Sequence, residues 1–341
     1  MIDVLVAGGG PAGLATAINA ARAGMEAVVV EPRAGPVDKA CGEGLMPTGA
    51  AALRSMGVLM DGRPFRGIRY LDGFHRAQAA FRDGLGIGVR RTVLHAALAD
   101  RAEDLGVRVV SGHVDGVCQE TGSVLASVGG RPLRARWLVA ADGLHSPIRA
   151  MLGLEPRPSR LRRYGLRRHY RTAPWTDFVE VHWAPGGEAY VTPVSDDLVG
   201  VAVLSSRRRA YDDHLAEFPD LRARLDGPAA TPVRGAGPLL QRVRSRVAGR
   251  VLLVGDAAGY VDALTGEGLS LAVSSSEALV SCLRAGRPES YEQAWRRLSL
   301  RHRVLTSALL TARRHQGSAR LVVPAAQRLP VLFSAAVRAL A

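Results

Sequence analysis

The 341-residue chain contains few cysteines, and their positions match neither a metal site nor a disulfide framework. Cys41, Cys118 and Cys282 are odd in number and stand far apart in the sequence. A disulfide scaffold needs an even set of cysteines, and a structural metal site needs closely spaced ligands. The sequence therefore predicts a protein of a reducing compartment that holds no metal ion.

From the N-terminal residues and the hydrophobic pattern we expect neither a secreted protein nor one that spans a membrane. The opening residues, MIDVLVAGGG, enter a strand directly, without the basic and long apolar segments of a secretory signal. No run of about 18 uncharged apolar residues occurs, so we expect no transmembrane helix. We expect a cytoplasmic protein. The last 30 residues are apolar with interspersed arginine; such a tail usually packs against its own domain, and a peripheral membrane or dimer contact is the alternative.

Lysine is almost missing from the chain. Of the 45 basic residues, 44 are arginine, and Lys39 is the single lysine. With 31 acidic residues the formal net charge is +14, a balance that can indicate a nucleic-acid partner. Because the arginines are spread along the chain, we expect no nucleic-acid partner, but a surface that favours anionic ligands such as phosphorylated cofactors.

Alternating strand and helix patterns begin and end the chain, and a β-rich segment interrupts them. Residues 2–7, 12–23 and 27–31 have the patterns of a strand, a helix and a strand, which indicates a parallel sheet. From about residue 160 to 245 the chain contains successive short strands separated by Pro, Gly and Asp turn signals. The sequence predicts a discontinuous α/β domain, an inserted antiparallel β-sheet domain and a helical C-terminal segment, with these boundaries: 1–62, 89–158 and 246–310 for the α/β domain, 63–88 and 159–245 for the sheet domain, and 311–341 for the helical segment.

The turn after the first strand carries a dinucleotide-binding fingerprint. Gly8, Gly10 and Gly13 form G-x-G-x-x-G between a strand and a helix. The glycines allow a tight turn, a close approach of pyrophosphate and close packing of helix on strand. Glu31 ends the second strand, where a carboxylate can accept hydrogen bonds from a ribose.

Two later motifs indicate which dinucleotide is bound. Asp142 and Gly143 lie in AADGLHSPIR, and Gly255 and Asp256 lie in VLLVGDAAG, which is followed by LTGEGLSLA. In this order and spacing the three motifs resemble those of flavoproteins with the para-hydroxybenzoate hydroxylase fold. That family includes aromatic hydroxylases, flavin-dependent halogenases and geranylgeranyl reductases. The resemblance spans nearly the whole chain.

The resemblance implies FAD as the resident cofactor, held by a Rossmann-like (GR2-type) domain. The glycine turn would hold the pyrophosphate, Glu31 the adenosine ribose, Asp256 the ribityl chain, and residues 266–270 the N1 and O2 edge of the flavin. The positions implied to contact FAD are Gly8, Gly10, Pro11, Ala12, Gly13, Glu31, Pro32, Arg33, Lys39, Ala40, Cys41, Arg91, Val114, Ala141, Asp142, Gly143, Gly255, Asp256, Gly266, Gly268, Leu269 and Ser270. Because only one fingerprint is present, NAD(P)H would act as a transient reductant, or a partner protein would supply electrons.

Three functions fit this cofactor. We expect an NAD(P)H-dependent monooxygenase that hydroxylates a small aromatic or polyketide-like metabolite. The alternative is a C=C reductase of a lipophilic substrate, favoured by the phrases CGEGL and LTGEGLSLA, and the third function is a flavin-binding partner protein without turnover.

The candidate catalytic residues follow from the expected hydroxylation. A hydroxylase gains from a base that ionises a phenol, and His169, His182 and Tyr190 lie on the sheet expected to face the flavin, with His75 as a lesser candidate. Cys41 would lie over the flavin, where the nearby charge of Lys39 could lower the pKa of its thiol.

Overall fold

The structure, a computed structural model, describes residues 1–156, 162–314 and 316–340. The predicted boundary between residues 158 and 159 lies outside the described residues. The strands in chain order are β1 (Ile2–Ala7), β2 (Ala27–Glu31), β3 (Gly44–Leu45), β4 (Arg63–Phe65), β5 (Gly67–Leu71), β6 (Arg76–Ala80), β7 (Gly86–Gly88), β8 (Arg108–Ser111), β9 (Val114–Glu120), β10 (Ser123–Val128), β11 (Arg131–Ala140), β12 (Tyr164–Tyr170), β13 (Phe178–Ala184), β14 (Gly187–Pro193), β15 (Val199–Ser205), β16 (Arg234–Ala236), β17 (Val247–Ala248) and β18 (Val251–Leu253).

The helices occur mainly near the start and the end of the chain. In chain order they are α1 (Pro11–Arg22), α2 (Pro47–Ser55), α3 (Arg91–Asp104), α4 (Pro147–Met151), α5 (Tyr211–Leu215), α6 (Pro219–Arg224), a 3₁₀ turn (Gly255–Ala258), α7 (Gly268–Arg284), α8 (Ser290–Arg314), α9 (Gln316–Ala319), α10 (Val322–Arg328) and α11 (Pro330–Leu340). In the described part of the chain, none of these helices has the length and hydropathy needed to cross a bilayer.

An eight-stranded sheet forms the core of the first domain. Its strands lie in the order β17-β18-β11-β1-β2-β8, and the hairpin of β9 and β10 extends β11. β1 pairs in parallel with both β2 and β11, so that Val6 stands opposite Val29 and Val139. Continuous Val, Leu and Ala runs suit these strands because helices cover both faces of such a sheet. The hairpin of β9 and β10 was not expected from the sequence.

A second, seven-stranded sheet forms the inserted domain, in the order β16-β12-β15-β14-β13-β5-β6. Its pairs are antiparallel except for β13 with β5. One face carries Tyr70, Trp183 and Tyr190, and the other face carries Tyr170 and Val201. The segment before residue 88 supplies β5 and β6 to this sheet, and β4 and β7 to a small sheet with β3. The predicted inserted antiparallel sheet is therefore confirmed, with one parallel pair.

The helical segment packs against the inserted sheet. Val323, Phe333 and Val337 are buried in the same apolar cluster as Tyr70, and the rings of Phe333 and Tyr70 have centroids 4.9 Å apart. Packing of this tail against its own chain was the expected arrangement. Much of its other surface remains exposed.

A buried ion cluster joins the inserted sheet to the loop before α7 and to α8. Arg163 Nη2 lies 2.7 Å from Glu188 Oε2 of β14, and Arg163 Nε lies 2.9 Å from Asp262 Oδ2, in the loop before α7. From α8, Arg313 Nε reaches Glu188 Oε1 at 2.7 Å. Two carboxylates and two guanidinium groups balance, which is the condition under which charges tolerate burial.

Replacing Arg163 by alanine should therefore lower the free energy of unfolding. Asp262 would lose its ion-pair partner in a buried position, and breaking a buried pair costs about 3 to 5 kcal/mol. Urea denaturation would measure the change. The matched control is Arg162→Ala, an exposed neighbour, for which we expect a change within about 0.5 kcal/mol. Equal unfolding midpoints for the two variants would contradict this role of Arg163.

Candidate active site

The turn between β1 and α1 brings two stretches of backbone into contact. Gly8 has a φ of +108°, and a Cβ there would lie 2.5 Å from the Ala141 carbonyl oxygen. A Cβ on Gly13 would lie 1.8 Å from the Gly8 oxygen. α1 starts at Pro11 without a side-chain cap, so its first N–H groups are free to bind an anion. The turn has the shape and polarity that a pyrophosphate requires.

Glu31 lies beside this turn and stays ionised. Its Oε2 accepts a hydrogen bond from the Gly9 N–H at 2.7 Å, and its Oε1 accepts one from Arg33 Nε at 2.6 Å. Burial alone would raise the pKa of Glu31, but the hydrogen bonds from Arg33 and Gly9 outweigh it and hold the pKa below its ordinary value. Such a carboxylate can accept hydrogen bonds from ribose hydroxyl groups.

Three cationic side chains converge near the same turn. Arg91 Nη2 lies 3.8 Å from the point where a Cβ on Gly10 would stand. Burial, together with the charges of Arg33 and Arg91, lowers the pKa of Lys39. Burial raises the pKa of Asp256 against the attraction of Arg91 and Lys39. This concentration of positive charge suits a diphosphate, which would form charge-assisted hydrogen bonds with it.

The N-terminus of α7 offers unpaired polar groups. Glu267, at the N-cap position, gives the helix no side-chain cap, and its Oε2 lies 2.8 Å from His302 Nδ1. Ser270 Oγ is buried and has no hydrogen-bond partner among the described residues. An uncapped helix N-terminus stabilises a nearby anion by roughly 0.3 to 1 kcal/mol. The polar edge of a bound flavin ring would give hydrogen-bond partners to the free N–H groups of α7 and to the Ser270 hydroxyl.

The remaining predicted cofactor positions lie along the same edge of the sheet. Gly255 has a φ of +61°, and a Cβ there would stand 2.6 Å from the Ala12 Cβ. Val114 begins β9 just after Gly112, whose N–H donates to the Glu31 carbonyl at 3.3 Å. The other positions flank these elements in the chain: Pro32, Ala40, Ala141, Asp142, Gly143, Gly266, Gly268 and Leu269. Their contacts with FAD stay predictions.

Residues 38–44, called the bridging loop below, connect the two domains. Arg167 of β12 forms an ion pair with Asp38 and donates from Nη2 to the Lys39 carbonyl at 3.1 Å. Thr192 of β14 donates from Oγ1 to the Gly42 carbonyl at 2.7 Å. The inserted sheet therefore holds the loop at both of its ends.

Glu43 attaches the bridging loop to the inserted sheet through its side chain. Its φ of +60° makes it the one non-glycine residue in the left-handed region among the described residues, a conformation that costs about 1 to 3 kcal/mol. Its Oε2 lies 2.6 Å from His169 Nε2, and its Oε1 accepts from the Arg91 N–H at 2.9 Å. A Cβ on Gly200 would stand 2.9 Å from Glu43 Oε2. The absence of a side chain at Gly200 therefore leaves room for the pair.

Both ring nitrogens of His169 have partners within the protein. Nδ1 lies 2.9 Å from Thr231 Oγ1 and 3.1 Å from Arg167 Nη1, and Nε2 lies 2.6 Å from Glu43 Oε2. Both ring nitrogens are engaged within the protein, so the expected role of His169 as a base for a phenol has no free nitrogen to serve it.

The pKa of the Cys41 thiol is shifted in the direction opposite to the predicted one. Protein surroundings desolvate Cys41 and raise the pKa of its thiol, although Arg91 opposes the shift. The hypothesis that Lys39 activates this thiol is wrong, because the cations that act on Cys41 are Arg91 and Arg167, and the charge of Lys39 acts on Asp256. The thiol is therefore protonated at neutral pH, with its Sγ 3.4 Å from the Glu43 N–H.

The other catalytic candidates divide between the two faces of the inserted sheet. Tyr190 lies on the face towards the first domain and donates to the Leu264 carbonyl at 2.7 Å. His182 lies on the opposite face, 3.3 Å from Glu180 Oε2, so the expectation that it faces the flavin is wrong. Strand alternation places neighbours of Trp183 on the other side. His75 pairs with Asp72 in an exposed turn.

Four residues at this junction were not predicted. They are Glu43, Arg167, Thr192 and Tyr260, and the Tyr260 Cε2 lies 3.3 Å from the point where a Gly268 Cβ would stand. Only Glu43 had a signal in the sequence, as a charged residue between two glycines. The others belong to ordinary strand and loop patterns.

Together, the single glycine turn, the ionised Glu31, the cationic cluster and the uncapped α7 define an FAD-dependent oxidoreductase. Residues 1–184 match the sequence profile of the FAD binding domain family, and the chain belongs to that family. The predicted cofactor FAD and the predicted fold are confirmed. The orphaned Ser270 hydroxyl and the glycine cradle fit this cofactor.

Two curated relatives are similar to most of the chain. A menaquinone reductase of Mycobacterium tuberculosis is 33% identical over 299 residues, which cover 78% of this chain and 72% of the relative. A digeranylgeranylglycerophospholipid reductase of Methanopyrus kandleri is 31% identical over 297 residues, with 80% and 77% covered. A geranylgeranyl bacteriochlorophyll reductase-like structure from Thermoplasma acidophilum superposes with a TM-score of 0.80 at 22% identity, covering 97% of this chain and 91% of that one. This structural similarity shows the shared fold.

Replacing Lys39 by glutamine should weaken FAD binding by roughly ten- to a hundredfold, because a hydrogen bond to a charged group contributes about 1.5 to 3 kcal/mol. Titration of the apoprotein with FAD, followed by flavin fluorescence, would measure the dissociation constant. Lys39→Arg is the control and should retain most of the affinity. Equal affinity of the glutamine variant and the wild type would exclude Lys39 from the phosphate site.

Replacing Glu43 by glutamine should release the bridging loop. The variant loses the charge of the bond to His169 while the left-handed backbone remains, so local opening becomes easier by about 1.4 kcal/mol, or tenfold. Amide hydrogen exchange of residues 38–44, read by peptide mass spectrometry, should accelerate by that factor. Peptides from the hairpin of β9 and β10 are the internal control, with an unchanged rate. If the bridging loop exchanges at the wild-type rate, Glu43 does not hold it.

Proposed function

We propose that the protein is an FAD-dependent reductase that saturates a C=C bond in a lipophilic, isoprenoid-type substrate. The relatives named menaquinone reductase and digeranylgeranylglycerophospholipid reductase support this choice. The chain covers 72% and 77% of their lengths. The monooxygenase reaction preferred from the sequence becomes the second candidate.

The observation that carries the proposal is the position of the Cys41 thiol in the bridging loop, which the inserted sheet holds through Arg167, Thr192 and His169. Reduction of a C=C bond needs a hydride for one carbon and a proton for the other. Burial raises the pKa of Cys41, so its Sγ holds a proton at neutral pH. The loop lies between the predicted FAD contacts and the inserted sheet, where Thr192 and His169 hold it.

The apolar side chains on one face of the inserted sheet support an apolar substrate. Tyr70, Trp183, Tyr190 and Leu264 are buried together, and the C-terminal helices cover the Tyr70 side of this cluster. Burial and the charge of Glu188 raise the pKa of Tyr190 well above its ordinary value, so its hydroxyl stays neutral. With both nitrogens of His169 engaged, this face offers a phenol no free histidine base among the described residues.

Trp183 favours a substrate that carries an oxygen. Its indole Nε1 is buried and has no acceptor among the described residues. An indole N–H only donates, so a carbonyl or hydroxyl oxygen of a substrate would satisfy it. A quinone head group has such an oxygen, and so does a phenol, which is the observation that retains the monooxygenase candidate.

The proposed roles follow from these positions. The flavin, once reduced, would supply the hydride, and NAD(P)H is the proposed source of its electrons because one dinucleotide fingerprint is present. The glycine turn, Glu31 and Lys39 bind the cofactor. The bridging loop excludes water, and Cys41 Sγ gives its proton to the substrate carbon and then regains one from solvent.

Anaerobic turnover with menaquinone would test the reaction. The protein, loaded with FAD and reduced by NADPH, should give a product that keeps two added hydrogens in its side chain after the quinone ring has been reoxidised in air, as read by tandem mass spectrometry. Cys41→Ala should slow this step by about 10² to 10⁴, the usual contribution of a positioned acid. Flavin reduction by NADPH should stay at the wild-type rate and serves as the control.

Other outcomes separate the alternatives. A product that gains an oxygen atom and forms only in air would establish the monooxygenase. Full activity of Cys41→Ala would remove the thiol from the reaction. A flavin that neither NADPH nor NADH reduces, with no turnover of menaquinone, would indicate a binding protein without catalysis.

A further inference from the structure

An exposed apolar elbow joins α10 and α11. It consists of residues 328–332, with the sequence RLPVL. Leu329, Val331 and Leu332 are 52%, 80% and 63% exposed, although each is a large aliphatic side chain. Contiguous exposed aliphatic residues are unusual on a soluble surface and indicate an interaction site.

The elbow is held in place and does not belong to a detached tail. Directly after it, Phe333 packs on Tyr70 with ring centroids 4.9 Å apart, and Val337, one turn later, is buried in the same cluster. Before it, Val323 is also buried. The fold therefore buries one side of these helices and presents the elbow on the other.

The segment that contains the elbow carries charge of one sign. Residues 293–341 contain nine arginines and neither aspartate nor glutamate, although Arg296 and Arg313 pair with glutamates outside this segment. Arg328, within the elbow, is exposed, and so is Arg320, next to Leu321, which is 60% exposed. Apolar side chains flanked by arginine are the composition that binds an anionic membrane surface. A second copy of the chain would bring like charges together.

We propose that this elbow docks the protein on an anionic phospholipid bilayer. Leu329, Val331 and Leu332 enter the boundary between head groups and acyl chains, while Arg320 and Arg328 bind lipid phosphates. No helix crosses the bilayer in this arrangement, because the elbow lies in the interfacial plane.

The elbow lies close to the proposed substrate site. Phe333 contacts Tyr70, and Tyr70 lies 5.4 Å from Trp183 between ring centroids. The elbow therefore adjoins the sheet face to which the proposed function assigns the substrate. In this one respect the inference rests on the proposed function, since a lipophilic substrate would be taken from the same bilayer.

Vesicle flotation of the FAD-loaded protein tests the docking without any turnover. The vesicles contain phosphatidylglycerol and phosphatidylcholine in equal parts, or phosphatidylcholine alone. The wild type should float with the first kind and remain behind with the second. The double variant V331S/L332S should bind the anionic vesicles at least about tenfold more weakly, because each exposed aliphatic group loses its gain from burial.

Controls and contrary outcomes are defined by the same assay. Leu59→Ser removes an equally exposed leucine, 79% accessible, from the first domain and should bind like the wild type. Arg328→Gln should weaken binding about fivefold, and raised salt should weaken the wild type. Equal flotation of V331S/L332S and wild type would overturn the proposal. A change from dimer to monomer in V331S/L332S, with flotation unchanged, would assign the elbow to a contact between copies.

Because flotation measures no reaction, its outcome is separate from that of the proposed function. Docking with no menaquinone turnover would leave the elbow assigned and exclude menaquinone as the substrate. Turnover of detergent-dispersed menaquinone with no flotation would support the reductase and refute the docking of the elbow.

Discussion

The hydrogen bond between Glu43 and His169 is the interaction on which the candidate active site depends. It joins a loop of the first domain to a strand of the inserted sheet at a separation of 2.6 Å. The bond requires a left-handed backbone at Glu43 and the absence of a side chain at Gly200. Strain of this kind persists where the surrounding contacts determine the conformation. The same bond engages a ring nitrogen of His169 and holds the loop that carries Cys41. Of these two side chains, Cys41 is therefore the one that can still give a proton to a substrate.

Charge is arranged differently in the two halves of this junction. At the glycine turn, the three cations Arg33, Lys39 and Arg91 outnumber the carboxylates Glu31 and Asp256. The excess positive charge suits a diphosphate. In the buried ion cluster, Arg163 and Arg313 balance Glu188 and Asp262, and the cluster needs no ligand. Balanced buried charges join elements, whereas unbalanced ones bind ligands. This contrast separates the residues that hold the domains together from those proposed to hold FAD.

Much of the cofactor half could be predicted because its requirements are local. The glycine turn, the glutamate that ends β2 and the Gly-Asp turn before α7 each lie within a few residues of sequence, and steric contact explains Gly8 and Gly13. The substrate half could not be predicted in the same way. His182 was expected to face the flavin, but strand alternation and the pairing of β13 with β5 turn it to the opposite face. No local pattern specifies which face of an inserted sheet meets the other domain.

The sequence by itself determined the cofactor class and the order of the domains, because backbone geometry and hydrophobic period are written in neighbouring residues. Only the tertiary structure decided the chemistry of the junction. Glu43 and His169 stand 126 residues apart, and the pKa of Cys41 depends on burial by segments distant in the chain. Proximity to Lys39 in sequence indicated an activated thiol, whereas the fold directs the lysine to Asp256 and leaves the thiol protonated. Burial and pairing are properties of the folded neighbourhood, so the state of a titratable group follows from it.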